Sequence, residues 1–263
     1  MGNYSIFNNV INQIEIECRR NPVNETGGIL VGTQSGQTTF ITHCSGPGIE
    51  WSSSYQHFKK DTNYVQLVLN FLHGYFGVNY LGLWHKHPTE YPTPSEGDIG
   101  NAMDEISDPD IGLDELLIPI CVLSGDKVSI SPFAVSANGV RQINWNVVSD
   151  NQITTFHLWD KHWYEMPIGM GRLEEEVRLL ENLKLSVEVS GRDDGRCCVR
   201  VNGDRLENRE LLFVCPPDYP VTPPDVAIFD RKTQSYLPVL TQNVRSWNLH
   251  RHMDDLVKEL SFI

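Results

Sequence analysis

Residues 84–98 read WHKHPTEYPTPSEGD. His85 and His87 stand two residues apart at the end of a predicted strand, and Asp98 follows eleven residues after His87. Because side chains alternate across a strand, both imidazoles should point to one face while Lys86 points to the other. Two neutral imidazoles and one carboxylate suit zinc. Three protein ligands leave one position for a water, whose pKa zinc lowers to about 7. The stretch therefore predicts a hydrolytic zinc site.

Two simpler interpretations of these residues stay open. A His-x-His pair alone is a weak indication of a metal site. The spacing Ser95-x-x-Asp98 is also that of a capping box, which starts a helix without any catalytic part. The complete pattern of His-x-His, seven residues, Ser, two residues and Asp favours the metal site, because it fixes three ligands and a hydroxyl at set spacings.

The hydrophobic pattern around this stretch predicts alternating helices and strands. The predicted helices cover 6–18, 61–74 and 96–106, and the predicted strands cover 25–32, 38–44, 80–87, 116–123, 127–135 and 140–148. Ser95 should be the N-cap of the third helix. Helices and strands mixed around one site predict an α/β sandwich or half-barrel over residues 1–149.

A second unit is predicted after residue 149, where the composition changes. Residues 150–171 show no clear period and are predicted to be a linker. Residues 172–263 then show a helix, several strands and a closing helix, which is an α+β order. The predicted elements are a helix from residue 172, strands at 185–189, 197–201, 210–215 and 226–229, and a helix at 249–260.

Composition excludes several classes of protein. The chain has 263 residues, of which 40% are hydrophobic and 21% charged, so it is globular rather than disordered. A formal net charge of -13 argues against nucleic acid as a partner. No secretory signal and no membrane span is expected. The six cysteines form no CxxC pair, which indicates reduced thiols and a cytoplasmic protein.

The metal pattern resembles the JAMM motif of the JAB/MPN metalloprotease family, and the resemblance covers roughly residues 1–148. Three further stretches are similar to the prokaryotic branch of that family: GPG at 46–48, FKKD at 58–61 and YLGLW at 80–84. The resemblance implies a cytidine-deaminase-like α/β fold. It also implies zinc-dependent cleavage after the C-terminus of ubiquitin-like proteins, to process a precursor or remove a conjugate. Prokaryotic relatives occur beside ubiquitin-like conjugation genes, including anti-phage operons.

The resemblance carries over residue by residue. It implies three zinc ligands, which are His85, His87 and Asp98. Glu25 matches the base that takes a proton from the zinc-bound water, the nucleophile, and passes it to the leaving amine. Without the resemblance, Glu25 would be a surface carboxylate at a strand start. Ser95 matches the serine that helps to hold the tetrahedral oxyanion. The chain departs from the family at Lys86, where Ser or Thr is usual, and strand alternation predicts that Lys86 faces away from the metal.

The second unit is marked by residues 211–226, which read LLFVCPPDYPVTPPDV. The prolines cannot continue a strand and predict a stiff crossover, with Tyr219 packed below it. The order of helix, strands, proline loop, Trp247 and closing helix resembles the ubiquitin-conjugating enzyme and RWD superfamily over 172–263. An active conjugating enzyme needs a cysteine between the loop and the tryptophan, and residues 225–246 contain none. The resemblance therefore implies a non-catalytic unit that binds a ubiquitin-like protein, its conjugated target or a conjugation enzyme.

Three functions are open from the sequence. The favoured one is a two-domain, deubiquitinase-like zinc metalloprotease acting on a ubiquitin-like protein and its conjugates. The first alternative is a non-catalytic scaffold of a conjugation pathway, against which the intact ligands count. The second is a metallohydrolase that acts on a small amide or a thiocarboxylated carrier protein.

Overall fold

The computed structural model describes residues 3–48, 52–53, 58–88, 91–149, 162–206, 209–230 and 233–260. The chain divides into two compact units, Met1–Phe156 and His157–Ile263. Most of the linker predicted at 150–171 lies outside the described residues. Among the described helices, none combines the length and the apolar character that a membrane span requires. All six cysteines lie within the described ranges and are free thiols, as predicted.

The described residues of the first unit form three α-helices and a large mixed sheet. The helices are α1 (Asn8–Arg20), α2 (Thr62–Phe76) and α3 (Glu96–Ser107). The strands are β1 (Asn3–Phe7), β2 (Thr26–Ser35), β3 (Thr38–Cys44), β4 (Ser52–Ser53), β5 (Phe58–Lys59), β6 (Asn79–His87), β7 (Glu115–Leu117), β8 (Ile120–Ser124), β9 (Lys127–Ser131), β10 (Phe133–Ser136), β11 (Gly139–Gln142) and β12 (Trp145–Val148). The order across the sheet is β11-β10-β7-β6-β2-β3-β1-β12, with β8 pairing to β6 and β9, while β4 and β5 pair separately.

The large sheet is covered on both faces. Neighbouring residues of β7 join different hydrophobic clusters, as the period of two in a strand requires. Leu117 packs in a cluster that contains Ile14 and Cys18 of α1, whereas Leu116 packs with Ala102 of α3. Helices on opposite faces of one sheet give the mixed α/β content that the sequence predicts for this unit.

Several predicted elements of this unit were wrong in their bounds. The three strands predicted at 116–123, 127–135 and 140–148 are each divided in two. Pro119 and Pro132 mark two of the breaks, because proline lacks the N–H that a ladder needs. The sequence pattern does not predict strand β1, because the strand runs directly into α1 and the predicted helix begins at Ile6, inside it.

Where the structure describes it, the second unit is an antiparallel meander of five strands with three α-helices. The strands, in sheet order, are β13 (Ser186–Gly191), β14 (Cys197–Asn202), β15 (Glu210–Cys215), β16 (Asp225–Asp230) and β17 (Ser235–Val239). The helices are α4 (Pro167–Asn182), α5 (Gln242–Arg245) and α6 (Met253–Leu260). Helix α4 begins inside the predicted linker, because proline suits the first position of a helix. Strand β17 was missed, and α6 begins later than residue 249.

A buried polar cluster joins the proline-rich loop to two helices of the second unit. Tyr219 is fully buried, as predicted, and its hydroxyl donates to the Glu176 carboxylate. The Arg172 Nε donates to Glu176 Oε1 at 2.8 Å, and the backbone N–H of Met253 donates to Oε2 at 2.8 Å. Burial raises the pKa of Glu176, although the charge of Arg172 opposes that rise. The cluster therefore holds α4, the loop and the start of α6 together.

Candidate metal centre

Strand β6 places two imidazoles side by side at its end. The ring centroids of His85 and His87 are 4.9 Å apart, and the rings are nearly perpendicular at 89°. The strand is held here by β8, against which His85 pairs with Ile120 in a parallel ladder. The His85 backbone N–H also donates to the carbonyl of Pro119 at 3.1 Å. The break between β7 and β8 thus supplies an acceptor that fixes the strand at the candidate site.

Helix α3 brings a carboxylate to these imidazoles. Ser95 is its N-cap, as predicted, and a full capping box is formed with Asp98. Asp98 Oδ1 lies 3.0 Å from His85 Nδ1, and Asp98 Oδ2 lies 3.3 Å from His87 Nε2. The Ser95 hydroxyl donates to Asp98 Oδ2 at 2.7 Å. The capping box of α3 therefore also positions the candidate metal ligand, because it holds Asp98 in the first turn of the helix, facing β6.

The Asp98 carboxylate and the His87 imidazole shift each other's pKa values. Burial acts to raise the pKa of Asp98, but hydrogen bonds from His85, His87 and Ser95 hold that pKa well below its usual range. Asp98 is therefore an anion at neutral pH. Burial acts to lower the pKa of His87, yet hydrogen bonds to Asp98 and to the Tyr91 carbonyl raise it overall. The Asp98 carboxylate therefore favours positive charge beside it, which a proton on His87 or a metal cation can supply.

The donor set fits zinc. His85, His87 and Asp98 each offer one ligand atom, and these atoms lie within 4.8 Å of one another. Two nitrogens and one carboxylate oxygen are typical of a catalytic zinc site, which keeps a further position open. The Nδ1 of His87 lies 2.9 Å from the carbonyl of Tyr91, which can only accept. Nδ1 therefore carries the hydrogen, and in the neutral ring the lone pair is on Nε2, which faces Asp98.

Glu25 lies against the same imidazoles, just before β2. Strands β2 and β6 are antiparallel, with Thr26 opposite Lys86 and Gly27 opposite His85. The Glu25 Oε2 lies 3.3 Å from His85 Nε2, and its side chain is only 12% exposed. Glu25 is therefore not a solvated surface carboxylate. The antiparallel pairing brings it to a site 60 residues further along the chain.

One open cleft of about 890 Å³ contains all five residues singled out in the sequence. The same cleft is lined by residues that the sequence analysis did not place at the site: Leu83, Asn101, Ala102, Asp104, Glu105, Ile118 and Ile120. Lys60 spans part of it, with its Nζ 3.5 Å from Glu105 Oε1. No local pattern marks these residues, because they converge only when α3 and the strands pack together. Of the loop at 88–94, residues 89–90 lie outside the described ranges.

Lys86 occupies the opposite face of β6. It is 1% exposed and points away from the imidazoles, as strand alternation predicts. Burial lowers the pKa of its ammonium, which the nearby negative charge of Glu25 opposes. Cys18 of α1 and Cys121 of β8 are its neighbours in the interior. Lys86, which replaces the usual Ser or Thr, therefore packs in the interior of the unit and does not enter the candidate metal site.

Comparison with known proteins gives one family and two named relatives. Residues 8–138 match the family described as prokaryotic homologs of the JAB domain. A protein from Escherichia coli (strain TW11681), named CD-NTase/cGAS isopeptidase, is 33% identical over 103 residues, covering 35% of this chain and 65% of the relative. A protein of the same name from Enterobacter hormaechei subsp. hoffmannii (strain UCI 50) is 28% identical over 122 residues, covering 46% of this chain and 66% of the relative. The chain therefore spans slightly less than two thirds of each relative.

A solved structure is also similar. The solution structure of a protein from Desulfitobacterium hafniense matches with a TM-score of 0.43 and 19% identity, covering 56% of this chain and 92% of that chain.

Proposed function

Because residues 8–138 belong to the family of prokaryotic homologs of the JAB domain, we propose that this chain is a zinc-dependent isopeptidase or peptidase. It cleaves after the C-terminus of a ubiquitin-like protein, to process a precursor or to remove a conjugate. The observation that carries the proposal is the convergence of His85, His87 and Asp98 within 4.8 Å, with Glu25 3.3 Å from His85. The relatives named isopeptidase support the reaction class.

Each of these residues has one part in the proposed mechanism. His85, His87 and Asp98 hold the metal. Zinc, when bound, supplies a Lewis acid that polarises a carbonyl and lowers the pKa of a coordinated water. Glu25 accepts a proton from the attacking water and delivers it to the leaving amine, so that the products are a carboxylate and an amine. In the proposed reaction Ser95 turns its single hydroxyl hydrogen from Asp98 Oδ2 to the oxygen on which negative charge develops.

The cleft suits the tail of a protein better than a very small amide. Its volume of about 890 Å³ is near the upper end of the range for drug-sized ligands, so several residues of an extended chain fit. Its lining combines apolar residues such as Ile118 and Ile120 with the charged pair Lys60 and Glu105. An extended tail can place backbone along such a surface while its terminal carbonyl meets the candidate metal site.

We further propose that the second unit is a non-catalytic relative of the ubiquitin-conjugating enzyme and RWD superfamily. Helix α4, the strand meander, the proline-rich loop and the closing helix α6 follow the order of that superfamily. The absence of cysteine from residues 225–246 supports a binding role. Its partner in this proposal is a ubiquitin-like protein, a conjugated target or a conjugation enzyme.

The name of the relatives suggests the target and the setting. We extend it to this chain as a proposal: the conjugated protein is an enzyme of the CD-NTase/cGAS type, in the cytoplasm of a prokaryote. Resemblance to proteins encoded near ubiquitin-like conjugation genes points to a part in anti-phage defence.

The proposal is tested with a panel of bacterial ubiquitin-like proteins, each joined through its C-terminal residue to a reporter or to a lysine of a CD-NTase. Zinc content and cleavage are measured on the same protein sample, before and after a chelator. We expect about one zinc per chain, loss of cleavage on chelation and recovery with Zn²⁺. Zinc-loaded protein that cleaves no member of the panel would indicate the scaffold instead. Cleavage that survives complete removal of metal would exclude the proposed mechanism.

A further inference from the structure

Lys86 lies directly behind the candidate metal site, between the two histidines in sequence and on the other face of β6. Its side chain is 1% exposed, which is unusual for a lysine. A buried ammonium must be hydrogen-bonded to be tolerated. The group that accepts a hydrogen bond from the Lys86 ammonium is therefore the group that Lys86 can hold in position.

The acceptor is the carbonyl of Asn24, at 2.9 Å from Lys86 Nζ. This carbonyl belongs to the peptide group that joins Asn24 to Glu25. The ladder between β2 and β6 begins one residue later, where Thr26 stands opposite Lys86. The backbone at Glu25 therefore lies outside the hydrogen bonds of that ladder. It is held instead by the hydrogen bond from the Lys86 ammonium to the Asn24 carbonyl.

Strand alternation sets the direction of the Glu25 carboxylate. Thr26 and Lys86 are directly opposite each other, so their side chains share one face of the sheet. Glu25 precedes Thr26 and points to the other face, where its carboxylate lies 3.3 Å from His85 Nε2. Lys86 thus fixes the peptide from one face while Glu25 acts on the other.

We propose that Lys86 is a positioning residue, which orients the general base by holding the Asn24–Glu25 peptide group through its ammonium. This inference rests on the proposed function and assigns no contact between Lys86 and substrate or metal. A hydrogen bond from an ionised donor is roughly twice as strong as a neutral one. A serine or threonine side chain at this position would be too short to reach the Asn24 carbonyl, whereas the longer lysine side chain reaches it at 2.9 Å.

The test uses Lys86→Met, which keeps the length of the side chain and removes the donor, and Lys86→Arg, which keeps a charged donor. We expect Lys86→Met to keep its zinc and its KM, while kcat falls about 10- to 100-fold, because small misplacement of a catalytic group is costly. Lys86→Arg should recover part of that loss. Lys127→Met, on an exposed lysine of β9, is the matched control and should cleave as the wild type does.

A double variant separates positioning from general destabilisation. If Lys86 acts through Glu25, Lys86→Met should add little to the loss caused by Glu25→Gln, because residues that act as a unit are not additive. The proposal would be overturned if the loss of kcat in the double variant equalled the product of the two single losses. It would also be overturned if Lys86→Met had the kcat of the wild type. Lys86→Gln, whose shorter amide retains polarity, takes the place of Lys86→Met if the latter does not fold.

A crystallographic readout is independent of activity. In the metal-free protein, the distance from Glu25 Oε2 to His85 Nε2 should increase by at least about 1 Å in Lys86→Met relative to the wild type, since the neighbouring carbonyl is released. An unmoved carboxylate would overturn the positioning role even if cleavage fell. If the wild type cleaves nothing, the proposed function fails, while this distance still decides whether Lys86 positions Glu25.

Discussion

The Ser95 hydroxyl takes part in two interactions at once. It accepts the backbone N–H of Asp98 at 3.2 Å and donates to Asp98 Oδ2 at 2.7 Å. The first interaction caps α3, and the second orients a candidate metal ligand. The capping box and a catalytic serine are compatible, because the cap uses only a lone pair of the hydroxyl oxygen and its hydrogen can turn from Asp98 to an oxygen in the cleft.

Ser95→Ala should reveal both parts. Loss of the cap should cost about 1 kcal/mol in the free energy of unfolding. Loss of a donor to the developing oxyanion should lower kcat by about 10²–10³-fold. Urea denaturation and steady-state cleavage measure the two effects separately.

Thr241→Ala is the control for the cap alone. Thr241 caps α5 in the second unit by accepting the N–H of Val244 at 3.1 Å. It should lose similar stability and keep its cleavage rate. If the rate of Ser95→Ala fell no further than that of this control, Ser95 would be a cap and nothing more.

Some residues were predictable because their chemistry imposes a spacing. Candidate ligands on one strand face must stand two apart, and Ser95 must stand three before Asp98 to cap the helix. The roles of these residues stay predictions until cleavage is measured. The partner of Lys86 was not predictable, because Asn24 is 62 residues away and only the sheet register brings them together.

Among the helices and strands, several boundaries predicted from the local sequence pattern were wrong at prolines, because a proline can either end a strand or begin a helix. Pro119 and Pro132 divide long apolar runs that looked like single strands. Pro167, in contrast, begins α4, although it lay in a stretch predicted as a linker. A proline ends a strand where the ladder needs a backbone N–H at that position, and it can begin a helix because the first N–H groups of a helix have no partner within it. The tertiary fold decides which of the two applies.

Helix α4 depends on a buried charge pair, which gives a prediction for the second unit. Glu176 is fully buried beside Arg172, whose side chain is 10% exposed. Glu176→Ala would leave the buried Arg172 guanidinium without its carboxylate and the Tyr219 hydroxyl without its acceptor. We expect the free energy of unfolding of this unit to fall by about 3–5 kcal/mol, measured by urea denaturation.

Glu174→Ala is the matched control on the same helix. Glu174 is exposed, so its loss should change the free energy of unfolding by no more than about 0.5 kcal/mol. Equal effects of the two substitutions would mean that the buried cluster does not hold α4, the loop and α6 together.

At the scale of the whole molecule, the sequence predicts the mixed α/β content of the first unit but not its cleft. The helix and strand content can be predicted because it follows from the local periodicity of the hydrophobic residues. The cleft forms where β2, β6 and α3 meet, so its far residues, such as Asn101 and Asp104, converge only through long-range packing. A motif search finds the candidate ligands, whereas the substrate surface has to be read from the fold.

In the proposed zinc peptidase, Glu25 moves the proton from the water to the leaving amine. Glu25→Gln preserves the shape of this side chain and removes its basicity. The measurement is kcat for cleavage of a ubiquitin-like conjugate, taken on wild type and variant together with the zinc content of each sample. We expect equal zinc in the two proteins and a kcat lower by about 10²–10⁴-fold in the variant. Cleavage at the wild-type rate by zinc-loaded Glu25→Gln would contradict that role of Glu25.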